Sequence, residues 1–251
     1  MVATFLSVGS GDGSQQLACA PRGIKNLTVS FFDAEADVVL KYPIAADHLR
    51  ELRLLLGPQA LVFGVDARAL TPALFGGQSR FDQVFFAFPH TGLQGCPARV
   101  RESNQDLLRE FLRSVEEVLS PLPHAQVTVV LSTSDVYKDW RIESLADGSP
   151  LCFVSSRPFN SELYQGYVHR LTMGMAGELK KVVDKKPHVF LFSRRSSKNS
   201  TSPTGSKENK NSILQTEQPK PPSSSPKTSW LVPYLPLIFA LRSPSLYSPI
   251  K

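Results

Sequence analysis

Small and acidic residues recur in this chain just where apolar runs end. The run Ala3 to Val8 passes into Gly9-Ser10-Gly11-Asp12-Gly13-Ser14. Glycines let backbone come close to a ligand, and amides at the start of a helix can face a polar or anionic group. Asp33 ends the next run, Leu27 to Phe32. That is about twenty residues after the loop, the spacing at which a carboxylate accepts hydrogen bonds from ribose hydroxyls. Asp66 closes a third run, Ala60 to Val65, within Gly64-Val65-Asp66-Ala67, where it can meet an adenine amino group. Each feature also has a structural reading, because glycine-rich turns often only turn the chain and strand-end acids often cap the next helix. Three of them on consecutive strand ends point to a nucleotide-like ligand. The loop continues Ser14-Gln15-Gln16 without the third glycine of a dinucleotide fingerprint, which disfavours an NAD-type oxidoreductase.

A fourth run, Phe81 to Phe88, leads into Pro89-His90-Thr91-Gly92. This sets an imidazole at a strand edge beside the expected switch point of a doubly wound sheet, a place where a proton can be handled.

These residues need a frame. Further β-rich runs lie at Val127 to Leu131, Leu151 to Val154 and His188 to Phe192, and helix-length segments separate most of the seven. Ala46, Leu49, Leu52 and Leu56 share one helical face, as do Leu107, Leu108, Phe111, Leu112, Val115 and Leu119. The alternation predicts an α/β fold with a doubly wound, mainly parallel seven-stranded sheet. The run Val84 to Phe88 predicts a central strand covered on both faces.

The division of charge predicts the domain layout. Residues 1–193 carry 19 Lys and Arg against 20 Asp and Glu, whereas residues 194–251 carry 9 against 2. The first span reads as one folded domain, and the second as a disordered, basic, Ser/Lys/Pro-rich tail with a short apolar end. The end, Trp230 to Leu241, is broken by Pro233 and Pro236 and falls short of the ~20 residues of a membrane span. Cys19, Cys96 and Cys152 show no metal-ligand spacing, so neither a metal site nor a disulfide framework is expected. Free thiols fit a reducing compartment.

Taken together, several segments carry a resemblance. They are Ser7 to Asp12, Asp33, Lys41-Tyr42-Pro43, Gly64 to Ala67, Arg80-Phe81-Asp82, Phe88 to Gly92, Tyr137 with Trp140, and Tyr164-Gln165-Gly166-Tyr167-Val168-His169-Arg170. In this order they resemble the eukaryotic large-subunit rRNA (uridine-N3) methyltransferase family, whose domain is shared with ferredoxin-fold anticodon-binding-domain-containing proteins. The resemblance implies a Rossmann-like domain that binds S-adenosylmethionine, methylates N3 of a uridine in rRNA and works in the nucleolus or nucleus, with the cytoplasm as the alternative. It implies that Gly9, Gly11 and Asp12 approach the methionine end of the cofactor, Asp33 its ribose, and Asp66 with Ala67 its adenine. Phe88 and Pro89 count with the cofactor-binding set and, with His90, wall the target base; His90 is the candidate catalytic base. Tyr164, Tyr167, His169 and Arg170 are the candidate RNA contacts, since aromatics interleaved with basic groups stack on unpaired bases and reach phosphate. A plain turn with tyrosines packed on the core is the other reading of that element.

Two positions depart from the family pattern. Gly13 stands where the family has Phe, and Ala87 where it has Asn, which removes an aromatic near the cofactor and a polar group near the target base. A catalytically drifted RNA-binding or scaffold protein with the same fold is therefore the alternative function. In the tail, Arg194, Arg195, Lys198, Lys207 and Lys210 are candidates for salt-sensitive attraction to RNA or for a nuclear address, or belong to a merely soluble tail.

Overall fold

The computed structural model describes residues 2–20, 24–77, 80–167 and 186–195. Their strands are β1 Phe5–Val8, β2 Leu27–Ser30, β3 Leu61–Val62, β4 Gln83–Ala87, β5 Gln126–Ser132, β6 Leu151–Pro158 and β7 Pro187–Arg194. All seven join one sheet in the order β3-β2-β1-β4-β5-β7-β6. Strands β1 to β5 are parallel, and β7 runs antiparallel between β5 and β6. The expected Rossmann-like, mainly parallel sheet is present. The strand order reverses between β1 and β4, so a crevice opens beyond their carboxyl ends.

Helices α1 Ser14–Cys19, α2 Glu35–Lys41 and α3 Ala45–Leu56 follow β1 and β2, α4 Pro97–Ser114 follows β4, and the short α5 Asp135–Lys138 and α6 Ile142–Leu145 follow β5. They divide the core between the sheet faces. On one face Val29 and Phe31 pack with Val38, Leu49 and Leu52. On the other, Leu6, Val8, Val84, Phe86, Val127 and Val129 meet Leu108, Phe111, Leu112 and Val115. Burying these side chains, at about 1.5–3 kcal/mol each, is what holds the strand ends level.

Three details differ from the periodicity. In α3, which spans the expected Ala45–Leu56, the buried face is Ala45, Leu49 and Leu52, with Leu56 partly buried; Ala46 is exposed, because the stripe facing the sheet follows the i, i+4, i+7 spacing from Ala45. β3 forms only two ladder residues, since a 3-10 turn at Pro58–Ala60 precedes it and Gly64 adopts φ 72° just after it. Backbone bonds nevertheless continue from Val65 N to Phe31 O, at 2.9 Å, so the tips of β2 and β3 stay together. In β4, Val84 and Phe86 are buried while Phe85 lines a cavity of about 100 Å³. Among the described residues, β4 is therefore sealed on one face only.

Candidate functional site

A cleft of about 500 Å³ opens at the carboxyl ends of the parallel strands, within the range of small-molecule sites. Gly9, Gly11, Asp12, Asp33, Asp66, Ala67, Phe88, Pro89 and His90 all line it. Residues from the tips of β1, β2, β3 and β4, distant in sequence, thus line one cleft.

Its floor is the loop after β1. Gly9 has φ +63° and sits so close over the Phe86 ring that a Cβ here would stand 2.8 Å from Cε2. Only glycine lets the backbone turn over that ring. Asp12 is 6% exposed; its Oδ1 accepts from Ser14 N at 3.0 Å and Ser14 Oγ at 2.6 Å. His48, on α3, places Nδ1 3.0 Å from the Asp12 carbonyl oxygen and 4.0 Å from Oδ2. The Gly13 departure has a local cause: at φ +79° a Cβ would meet Leu52 Cδ1 at 3.1 Å, so the loop packs directly on α3.

The two outer acids are differently engaged. Asp33 Oδ2 accepts from Lys41 Nζ at 3.1 Å, so a cation already stands at the tip of β2. Asp66 does act as a cap: Oδ1 accepts from Arg68 N at 2.9 Å, and both oxygens accept from the Arg68 side chain. The Arg68 guanidinium holds the Asp66 carboxyl below the ordinary carboxylate range. The capping reading of Asp66 is thus realised, and the residue also lines the cleft, where a carboxylate keeps lone pairs for a further donor.

The opposite wall is the loop after β4, which is held at every residue from Phe88 to Gly92 save Pro89. Phe88 takes φ 51°, rare for a side chain of its size, and donates N–H to Val130 O at 2.8 Å. Thr91 N donates at 2.9 Å to Oδ1 of Asn104, a fully buried side chain on α4 whose Nδ2 donates to Val100 O. Gly92 N donates to His90 Nδ1 at 2.8 Å, and the buried Trp140 ring lies behind the imidazole at 6.1 Å between centroids.

The expected RNA-contacting set divides. Tyr167 lines the cleft near Asp12; burial, and then the Asp12 charge, push its phenol well above the ordinary range. Tyr164 is not in that wall. It is buried, stacked on Phe159 at 5.0 Å between centroids, and lines the second cavity instead, the core-packing role that aromatic burial favours. His169 and Arg170 lie outside the described residues, as do Lys198, Lys207 and Lys210. Arg194 and Arg195, expected in the tail, are tied into the fold. Arg194 binds Glu116 at 2.7 Å together with the Leu119 and Ser120 carbonyls, and Arg195 binds the Ser149 and Ala146 carbonyls. The reason is positional: β7 runs on to Arg194, one residue past the expected boundary.

Residues missed in the sequence also shape the cleft. Lys41, Arg68, Gln15 and Gln16 line it, while His48 and Asn104 support it from behind. Lys41 lies in one of the segments that carry the family resemblance, but only its nearness to Asp33 gives it a role; nothing in the local pattern marks the others. Among the described residues no group of three or more His, Cys, Asp or Glu is arranged to hold a metal ion, and no helix is long and apolar enough to cross a membrane.

The cleft fits S-adenosylmethionine: glycine backbone on one side, carboxylates at two further strand tips, and room for a ligand of that size. Comparison with known proteins bears on the same point. Residues 6–171 match the BMT5-like family, described as rRNA (uridine-N3-)-methyltransferase. An uncharacterized protein of Arabidopsis thaliana is 26% identical over 68% of this chain and 82% of its own length. The mouse ferredoxin-fold anticodon-binding domain-containing protein 1 homolog is 28% identical over 50% of this chain, which spans only 21% of that longer protein. A solved S-adenosylmethionine-dependent methyltransferase of Clostridium acetobutylicum is 11% identical, with a TM-score of 0.48 over 77% of this chain and 84% of its own, too distant to add to the assignment. On the family match, which covers most of the sheet and the whole described cleft, the chain belongs to the BMT5-like rRNA (uridine-N3-)-methyltransferases and is an S-adenosylmethionine-dependent RNA methyltransferase.

Proposed function

We propose that the protein methylates N3 of a uridine in rRNA, with the cofactor lying across the tips of β1, β2 and β3 and the target base held against Phe88, Pro89 and His90. The observation that carries this reading is the convergence of Gly9, Gly11, Asp12, Asp33, Asp66 and His90 on one cleft. The cofactor supplies a methyl group already activated by its positive sulfonium. What remains for the protein is to align N3 with that methyl group and to stabilise the uracil as its proton leaves. Gly9 and Gly11 bring backbone to the methionine end, and Asp12, fixed by Ser14 and His48, sets a buried negative charge beside it. Asp33 and its partner Lys41 face the ribose, and Asp66 with Ala67 the adenine. Tyr167 closes the cleft from the segment after β6, where its ring can stack on the flipped base. A substrate of this kind favours work in the nucleolus or nucleus over the cytoplasm.

Titration calorimetry with S-adenosylmethionine, followed by transfer of radiolabelled methyl to unmodified rRNA and identification of the product nucleoside, tests this. We expect binding and labelled 3-methyluridine. Binding without transfer to any rRNA would overturn the substrate assignment; loss of both would favour a scaffold that keeps only the fold.

A further inference from the structure

We infer that His90 serves methyl transfer as a hydrogen-bond donor, through Nε2, to a carbonyl oxygen flanking N3 of the uracil, and not as the base that takes the N3 proton. This rests on the reading of the cleft given above and assigns its imidazole a different role from the one the sequence suggests.

The Gly92 backbone amide donates to His90 Nδ1 at 2.8 Å. An amide N–H has only a proton to offer, so Nδ1 must be the lone-pair nitrogen, and the neutral ring carries its proton on Nε2. Using Nε2 as a base would require the other tautomer, which sets an Nδ1 proton against the Gly92 proton. Using Nδ1 would require breaking the bond to Gly92. Neither is relieved by a shift of the loop, because the loop is held from several sides. Phe88 N is bonded to Val130 O, Pro89 restricts the backbone, and Thr91 N is bonded to the fully buried Asn104. Trp140 stands behind the ring.

A fixed donor matches the electronic demand of the reaction. As the N3–H bond breaks, its electron pair stays on N3 and spreads over the two flanking carbonyl oxygens, while the proton passes to water. The same N3 pair then forms the new bond to the methyl carbon as the carbon–sulfur pair withdraws to sulfur. A preorganised N–H aimed at one of those oxygens gains strength as the negative charge develops, which is how such donors accelerate reactions.

Three substitutions separate the roles, because Gln presents an N–H near the position of Nε2 whereas Asn presents an acceptor near the position of Nδ1. Single-turnover methyl transfer to rRNA would be measured for His90→Gln, His90→Asn and His90→Ala, with cofactor affinity and circular dichroism confirming the fold. We expect His90→Gln to keep activity within about tenfold of the parent, and the other two to lose about 10²–10³, the usual effect of removing one such donor. Long-range proton–nitrogen NMR correlation of the ligand-free protein should show His90 protonated on Nε2 alone. A His90→Gln protein as inactive as His90→Ala, an active His90→Asn protein, or a proton on Nδ1 would each overturn the inference while leaving the methyltransferase reading intact. A parent protein that neither binds cofactor nor transfers methyl would overturn both.

Discussion

Replacing Gly9 by Ala perturbs the cofactor loop at its tightest point, and the structure sets the size of the effect. Two costs combine. The backbone at φ +63° is left-handed, which disfavours any L side chain by roughly 1–2 kcal/mol. The added methyl would also stand 2.8 Å from Phe86 Cε2, well inside normal carbon contact of about 3.5–4.0 Å. Phe86 has little room to retreat: it is 6% exposed and meets the fully buried Phe111 edge-on at 4.9 Å between centroids. Overpacking of this kind costs about 1–3 kcal/mol, so the single variant should lose about 2–5 kcal/mol, a large part of the ~5–15 kcal/mol that a domain has in total. Urea unfolding at equilibrium measures this directly. Phe86→Leu, combined with Gly9→Ala, should recover the steric part and leave the backbone part, giving an interaction energy of about 1–3 kcal/mol in a double-mutant cycle. A Gly9→Ala protein within about 0.5 kcal/mol of the parent, the scatter of an ordinary surface change, would refute the reasoning. So would a cycle showing no coupling to Phe86.

Two further expectations concern charge. Asp66→Ala removes the cap on the turn at Ala67–Ala69 and should cost about 0.5–2 kcal/mol, whereas Asp66→Asn keeps a cap and loses the pairing with the half-exposed Arg68, worth under about 1 kcal/mol. Because Arg68 holds the folded carboxyl below its ordinary value, the gap between parent and Asn variant should be complete above about pH 4 and close as pH falls through the lowered value; a gap unchanged to about pH 2 would count against the pairing. At the end of β7, a chain stopped at Ser193 should unfold at lower urea than one stopped at Arg195, by about 2–4 kcal/mol, since it loses the charge-assisted bonds of Arg194 and Arg195; equal midpoints would show that these bonds contribute nothing net.

Much of the architecture was legible in the chain because periodicity is a local property. Runs such as Leu27 to Phe32 and Val127 to Leu131 announce strands through β-branched and aromatic side chains, and the Leu49, Leu52 and Leu108, Phe111, Leu112 sets announce helix faces. Glycine-rich and acidic strand ends at Gly9, Asp33 and Asp66 were readable for the same reason. The direction of β7 was not, since alternation along a strand looks the same whichever way its neighbour runs. Nor was the fate of Tyr164, since a tyrosine in a Tyr-rich motif serves equally well as a platform or as packing until its neighbour Phe159 is in place.

By itself, the order of residues determined that the chain would wind strands and helices alternately and bring three glycine- or aspartate-bearing tips to one edge, because each depends on contacts within a few residues or on the handedness of a crossover. Only the tertiary structure decided what those tips hold and how they are held. His48 reaches Asp12, Lys41 reaches Asp33, Asn104 fixes the loop of His90, and Arg194 ties down the carbonyls after α4. The partners lie between 8 and 75 residues apart, and a polar side chain carries no mark of its partner until folding removes water from between them.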